Sequence, residues 1–113
     1  MSPLARSIYK HLVKRLRAGK TSLTYGELST AVTTHRRSAR LHAALGEISA
    51  ACRQHDLPCL PAIVWRSDTR MPGPAYFAHA HTRLRNDDAK RAAWEAEHAA
   101  VVRDPERFPL KPW

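Results

Sequence analysis

The tetrapeptide Thr24-Tyr25-Gly26-Glu27 limits what this chain can fold into more than any other stretch. A threonine followed three residues later by a glutamate forms a capping box, in which each side chain satisfies a backbone N–H at a helix start. A helix carrying Tyr25, Leu28 and Val32 inward therefore begins here. It must be short, because the β-branched and polar residues from Val32 to His35 break its pattern.

Two more helix starts flank it. Ser2 is placed to cap a first helix with Pro3 at its first position, and Leu4, Ile8, Leu12 and Leu16 recur every four residues. That helix is expected to reach about Ala18 and to stop at Gly19, with Lys10, Lys14 and Arg17 on its outer side. Thr21 to Leu23 is expected to be extended. Ser38 can cap a third helix whose stripe is Leu41, Leu45, Ile48 and Cys52, ending near His55 before Leu57-Pro58. Gly46 within it marks close packing on another helix.

The periodicity then changes. Leu60 to Trp65 is a short apolar run that reads as a strand, Ser67 to Arg70 as a turn, and MPGPAYF as a return into a brief second strand at Tyr76 and Phe77. From about Asn86 the chain reads as a fourth helix with acids in its first turn and Trp94 and Val101 seven apart, ended by Pro105. Phe108, Leu110 and Trp113 are expected to anchor the tail on the rest, since exposed Phe and Trp would be a sticky patch.

This order predicts an α+β, mostly helical fold of winged helix-turn-helix type: three helices and a small β-hairpin, plus a C-terminal helix. At 113 residues one domain is expected, with a core over 1–82 and a helix and tail over 83–113 packed on it.

Charge is unevenly spread. Residues 1–42 hold nine Lys or Arg against the single acid Glu27, while the remainder holds ten basic and nine acidic groups. Such an asymmetry is the signature of a polyanion-binding face, because each neutralised phosphate releases condensed counterions. In a winged helix the start of the third helix enters the major groove and the wing touches flanking phosphate. That assigns Thr34, His35, Arg36, Arg37, Ser38 and Arg40 to the groove of double-stranded DNA, Arg66 and Arg70 to the wing, and Lys14 and Lys20 to outer phosphates. Arginine suits the task because its fork reaches guanine O6 and N7, or grips a phosphate, with two hydrogen bonds.

The pieces SLTYGELSTAV, RLHAALG, LPCLPAIV and RSDTR resemble, in order and spacing over about residues 21 to 70, the DNA-binding domain of alkylguanine alkyltransferases and alkyltransferase-like proteins. The resemblance implies an alkyl-accepting thiol at Cys59, an intercalating arginine near Arg40 and a base-pocket tyrosine at Tyr25. The chain departs from that pattern where Leu60 and Pro61 stand in place of the His and Arg that follow the cysteine. A thiol needs a neighbouring base or cation to become a nucleophile, so no enzymatic activity is expected. The sequence is also similar to short bacterial proteins that share TYGEL, an LP-x-L-x-x-[IV]-V stretch, a PG-containing turn and a late tryptophan helix.

A different class of function competes: an inhibitor or adaptor of phage or plasmid type that docks on a protein or nucleoprotein through exposed aromatic residues, with Trp65, Tyr76, Phe77, Phe108 and Trp113 as its contacts. His79 and His81, with His98 or Asp87, are the nearest approach to a metal-binding set, and an HxH alone does not make one. No metal or cofactor is expected. Cys52 and Cys59 are expected to be free thiols in a reducing compartment, and with no apolar run long enough for a membrane span and no secretory signal, a cytoplasmic location follows. Dimerisation through the first or fourth helix would suit a palindromic DNA site.

Overall fold

The computed structural model describes residues 1–32 and 38–113. Helix α1 (Pro3–Arg17) starts at Ser2, whose side chain accepts from the Ala5 amide, with Pro3 in the first turn. Its buried face is Ala5, Ile8, Tyr9, Leu12, Val13 and Leu16. Gly19 then takes the left-handed conformation (φ 85°) that lets the chain leave the helix without a Cβ clash.

Strand β1 (Leu23–Thr24) leads directly into helix α2 (Tyr25–Ala31). The capping box forms as the sequence requires: the Glu27 amide donates to Thr24 Oγ1 at 3.1 Å, and the Thr24 amide donates to Glu27 Oε1 at 2.9 Å. Helix α3 (Ala39–Gln54) is capped by Ser38, which accepts from the Arg40 amide, and it buries Leu41, Leu45, Ile48 and Cys52 along one stripe. Helix α1 packs along α3, and a short helix α4 (Pro74–His79) crosses α3 on another side. That crossing seats the His79 ring over position 46, where a Cβ would lie 2.5 Å from His79 Nε2 and the exposed ring would have to move aside.

Two expectations are corrected here. Leu60–Ile63 is a 3-10 turn, and only Val64–Trp65 forms strand β2, which pairs in parallel with β1, Leu23 opposite Val64 and Thr24 opposite Trp65. Tyr76 and Phe77 belong to α4 and make no second hairpin strand. The reason lies in MPGPAYF. Pro72 and Pro74 lack the N–H groups an antiparallel ladder needs, and proline's fixed φ suits the first position of a helix. The turn itself is present, closed by hydrogen bonds from the Arg66 amide to Met71 O (3.0 Å) and from the Arg70 amide to Arg66 O (2.9 Å).

Helix α5 (Asp87–Arg103), capped by Asn86, lies on the 3-10 turn, where Trp94 Nε1 donates to Ala62 O at 2.8 Å. After it the tail forms a strap over α1. Phe108 is fully buried, Tyr9 donates to Pro109 O at 2.6 Å, and Trp113 stacks on His55 with ring centres 4.3 Å apart. Arg17 holds the strap with two bonds, to Glu106 (2.8 Å) and to Phe108 O (2.7 Å). No helix of the described residues is long and apolar enough to cross a membrane.

Candidate functional site

Four elements converge on one open cleft of about 560 Å³. The start of α2 contributes Thr24, Tyr25 and Gly26, the first turns of α3 contribute His42, the turn after β2 contributes Arg66, Ser67 and Asp68, and the entry to α4 contributes Gly73 and Pro74. The parallel pairing of β1 with β2 creates this arrangement. Tyr25 is the first residue after β1 and Arg66 the first after β2, so aligning the two strands sets both side chains at the same mouth.

Tyr25 and Gly73 are buried and form the floor, while Arg66, Ser67, Asp68 and Pro74 are exposed at the rim. The Gly73 amide donates to Tyr25 Oη at 3.0 Å, and the Tyr25 ring lies 5.3 Å from that of His42. Burial pushes the Tyr25 hydroxyl above its ordinary range, opposed by the Gly73 hydrogen bond and the nearby Arg66 charge, so it stays protonated. Arg66 is oriented by Asp68, which accepts from its Nε (3.0 Å) and Nη2 (2.8 Å). These bonds hold the Asp68 carboxyl below its usual range. His42 Nδ1 is shielded from solvent and has no partner among the described residues.

Of the cations the sequence singled out, Arg66 lines the cleft, whereas exposed Arg40, in the first turn of the Ser38-capped α3, does not. Arg70 is exposed in the same turn as Arg66, in the left-handed region at φ 56°. Lys14 and Lys20 are exposed but line no part of the cleft. Thr34, His35, Arg36 and Arg37 lie outside the described residues. Arg17 is committed to the strap, and Arg15 bonds to Ser22 O at 3.4 Å.

The aromatic set assigned to partner docking is placed differently from its expected exposure. Tyr76, Phe77 and Phe108 are buried, because α4 and the strap turn them into the core. Trp65 is half-buried against Trp94 and His98, and Trp113 is half-buried on Tyr9 and His55. The histidines of the HxH sequence diverge: His79 reaches over Gly46, while His81 Nε2 sits 3.3 Å from Tyr76 Oη. His98 Nε2 bonds to Thr21 O at 2.7 Å, and no group of three metal-binding side chains occurs among the described residues.

Cys59, where the alkyltransferase resemblance implies a reactive thiol, is buried and donates to Ser49 Oγ at 3.1 Å, while Ser49 donates to Leu45 O. Burial pushes this thiol up to about 12 and that of Cys52 up to about 11, so both are protonated and poorly nucleophilic. His42, Gly26, Gly73, Ser67 and Asp68 entered no site read from sequence. The available signal was Gly73 between two prolines, in the same short stretch as Arg66. No protein-family model, curated protein or solved structure matches the chain.

Proposed function

We propose that this is a small basic cytoplasmic protein, non-catalytic, which binds double-stranded DNA through a helix-turn-helix, with the turn after β2 standing in for the hairpin wing. The start of α3 would face the groove and the Arg66–Arg70 turn the flanking phosphate. The observation that carries the reading is the charge: nine cations against one acid in residues 1–42, continued by Arg66 and Arg70. Exposed Arg40 at the capped start of α3 supports it, since a helix N-terminus favours phosphate and a guanidinium there can reach a base edge or a backbone oxygen. Both ion pairs among the described residues involve arginine, Arg17 with Glu106 and Arg66 with Asp68, and neither engages Arg40.

Duplex titrations by fluorescence anisotropy at several salt concentrations test this. Each lost phosphate contact should lower the slope of log K against log salt by about 0.9. Arg36→Ala with Arg37→Ala, and separately Arg40→Ala with Arg70→Ala, should therefore weaken binding and flatten the slope. Titrations that superimpose on the parent would remove the reading. Burial of Tyr76, Phe77 and Phe108 takes away most of the aromatic contacts on which docking to a protein partner was built.

A further inference from the structure

Of the chain's four glycines, two are explained from within the molecule and two are not. Gly19 has a left-handed backbone, and Gly46 makes room for His79. Gly26 and Gly73 have neither reason. Gly73 is extended (φ −81°, ψ −177°), a conformation any residue adopts before proline. A Cβ on it would make only ordinary contacts, 3.7 Å from both Arg66 Cδ and Tyr25 Oη. A Cβ on Gly26 would meet only Thr24 Oγ1, at 3.7 Å. Gly26 sits in the first turn of α2, where alanine would also be accommodated. Both unexplained glycines line the same cleft, and a bare backbone there leaves space for something that is not part of the chain.

The chemistry of the cleft says what that is. Tyr25 Oη already accepts from the Gly73 amide, so its own hydrogen is left to give, and it finds no acceptor among the described residues. Arg66 uses its Nε and one Nη2 hydrogen on Asp68, which leaves its Nη1 hydrogens for another partner. Ser67 adds a hydroxyl at the rim. The one carboxylate of the cleft, Asp68, is already occupied by Arg66 and by the Thr69 amide. Arg66 and Asp68 cancel in charge, but the hydrogens left open on Tyr25 Oη and Arg66 Nη1, with the unpartnered His42 Nδ1 beside them, call for a ligand rich in acceptors, and an anion is the one that gains most from Arg66. The buried floor of Tyr25 and Gly73 suits a terminal group entering end-on. We infer that the cleft binds a phosphomonoester, whose terminal oxygens reach Arg66 and Tyr25 past the bare backbone of Gly73. Such a group is carried by a small sugar phosphate or by a phosphorylated DNA end. Only the second source rests on the DNA-binding reading.

The test uses the full chain without DNA first. Titrations with inorganic phosphate and with ribose 5-phosphate, followed by amide chemical shifts, should give saturable changes at Tyr25, Gly26, Arg66 and Gly73. Arg66→Gln and Gly73→Val, with circular dichroism matching the parent, should weaken binding at least about tenfold, as loss of a charge-assisted contact or of the space implies. Gly73→Ala, whose added methyl makes only ordinary contacts, is the milder variant if valine unfolds the chain. No saturable change with either phosphate, or equal binding by folded variants and parent, would overturn the inference. A second arm compares one duplex with 5′-phosphate and 5′-hydroxyl ends. Preference for the phosphorylated end assigns the site to DNA ends, whereas equal affinity together with ribose 5-phosphate binding assigns it to a small molecule. The first arm contains no DNA, so its failure is separate from failure of the duplex titrations.

Discussion

Replacing Phe108 with alanine should be among the most damaging single changes in this chain. Phe108 is fully buried where the strap meets α1, and its carbonyl is held by Arg17 at 2.7 Å. Removing a buried phenyl group loses its transfer free energy and leaves a cavity, about 3–5 kcal/mol together. That is a large share of the roughly 5–15 kcal/mol that holds a domain folded. The polar contacts beside it count for less. Glu106, with 73% of its side chain exposed, forms a pair with Arg17 worth about 1 kcal/mol or less. Tyr9→Phe removes the 2.6 Å bond to Pro109 O and should cost about 1 kcal/mol. At about 4 °C or more per kcal/mol for a domain near this size, Phe108→Ala should lower Tm by about 12 °C or more. Tyr9→Phe and Glu106→Ala should shift it several-fold less. Thermal melts and urea titrations of the three variants provide the comparison, with m-values checking that the native state stays compact. If Phe108→Ala melts within about 3 °C of the parent, the strap is not part of the cooperative unit and the reasoning fails.

Both thiols should resist iodoacetamide at pH 8 in the native protein and react promptly in denaturant; equal rates in the two conditions would contradict their burial. Burial raises Cys52 from 9.0 to about 11, Cys59 from 9.0 to about 12, and Tyr9 from 10.0 to about 12, so all three are protonated in the fold where the open chain would ionise. Their contribution is complete below pH 9.0 and is lost as pH climbs toward 12, so Tm should fall steadily across that window; a flat profile to pH 11 would count against it. Thr24→Ala should cost about 1 kcal/mol in urea unfolding through loss of the α2 cap, and an unchanged midpoint would contradict the capping box.

The helical part of the fold is legible because local chemistry decides it. Ser2-Pro3, the Thr24–Glu27 box, Ser38 and Asn86 each satisfy orphan amides with their own side chains, so the starts of four helices are written into short stretches. The non-local pieces are less visible. Leu60 to Trp65 is apolar and partly β-branched, which suits either a strand or a tight buried turn, and its partner strand precedes α2 by sequence. Nothing near Val64 announces a parallel alignment with Leu23. The same applies to the cleft: Tyr25, His42, Arg66 and Gly73 come from four separate elements, and only Arg66 was selected for its charge. Arg17 shows the opposite limit, since it looks like a solvent-facing cation in the helix pattern yet is engaged by residues at the far end of the chain.

The parallel ladder of β1 and β2 is only two residue pairs long. So brief a ladder has little stability of its own and survives because the helices around it bring its strands into line. It also fixes the spacing between Tyr25 and Arg66, so fraying of those two rungs would re-space the mouth of the cleft while the α1–α3 packing stayed whole. Were the mouth to take a guest that bridges its two sides, occupancy and closure of the ladder would be linked, and amide exchange in both strands should slow as the guest is added.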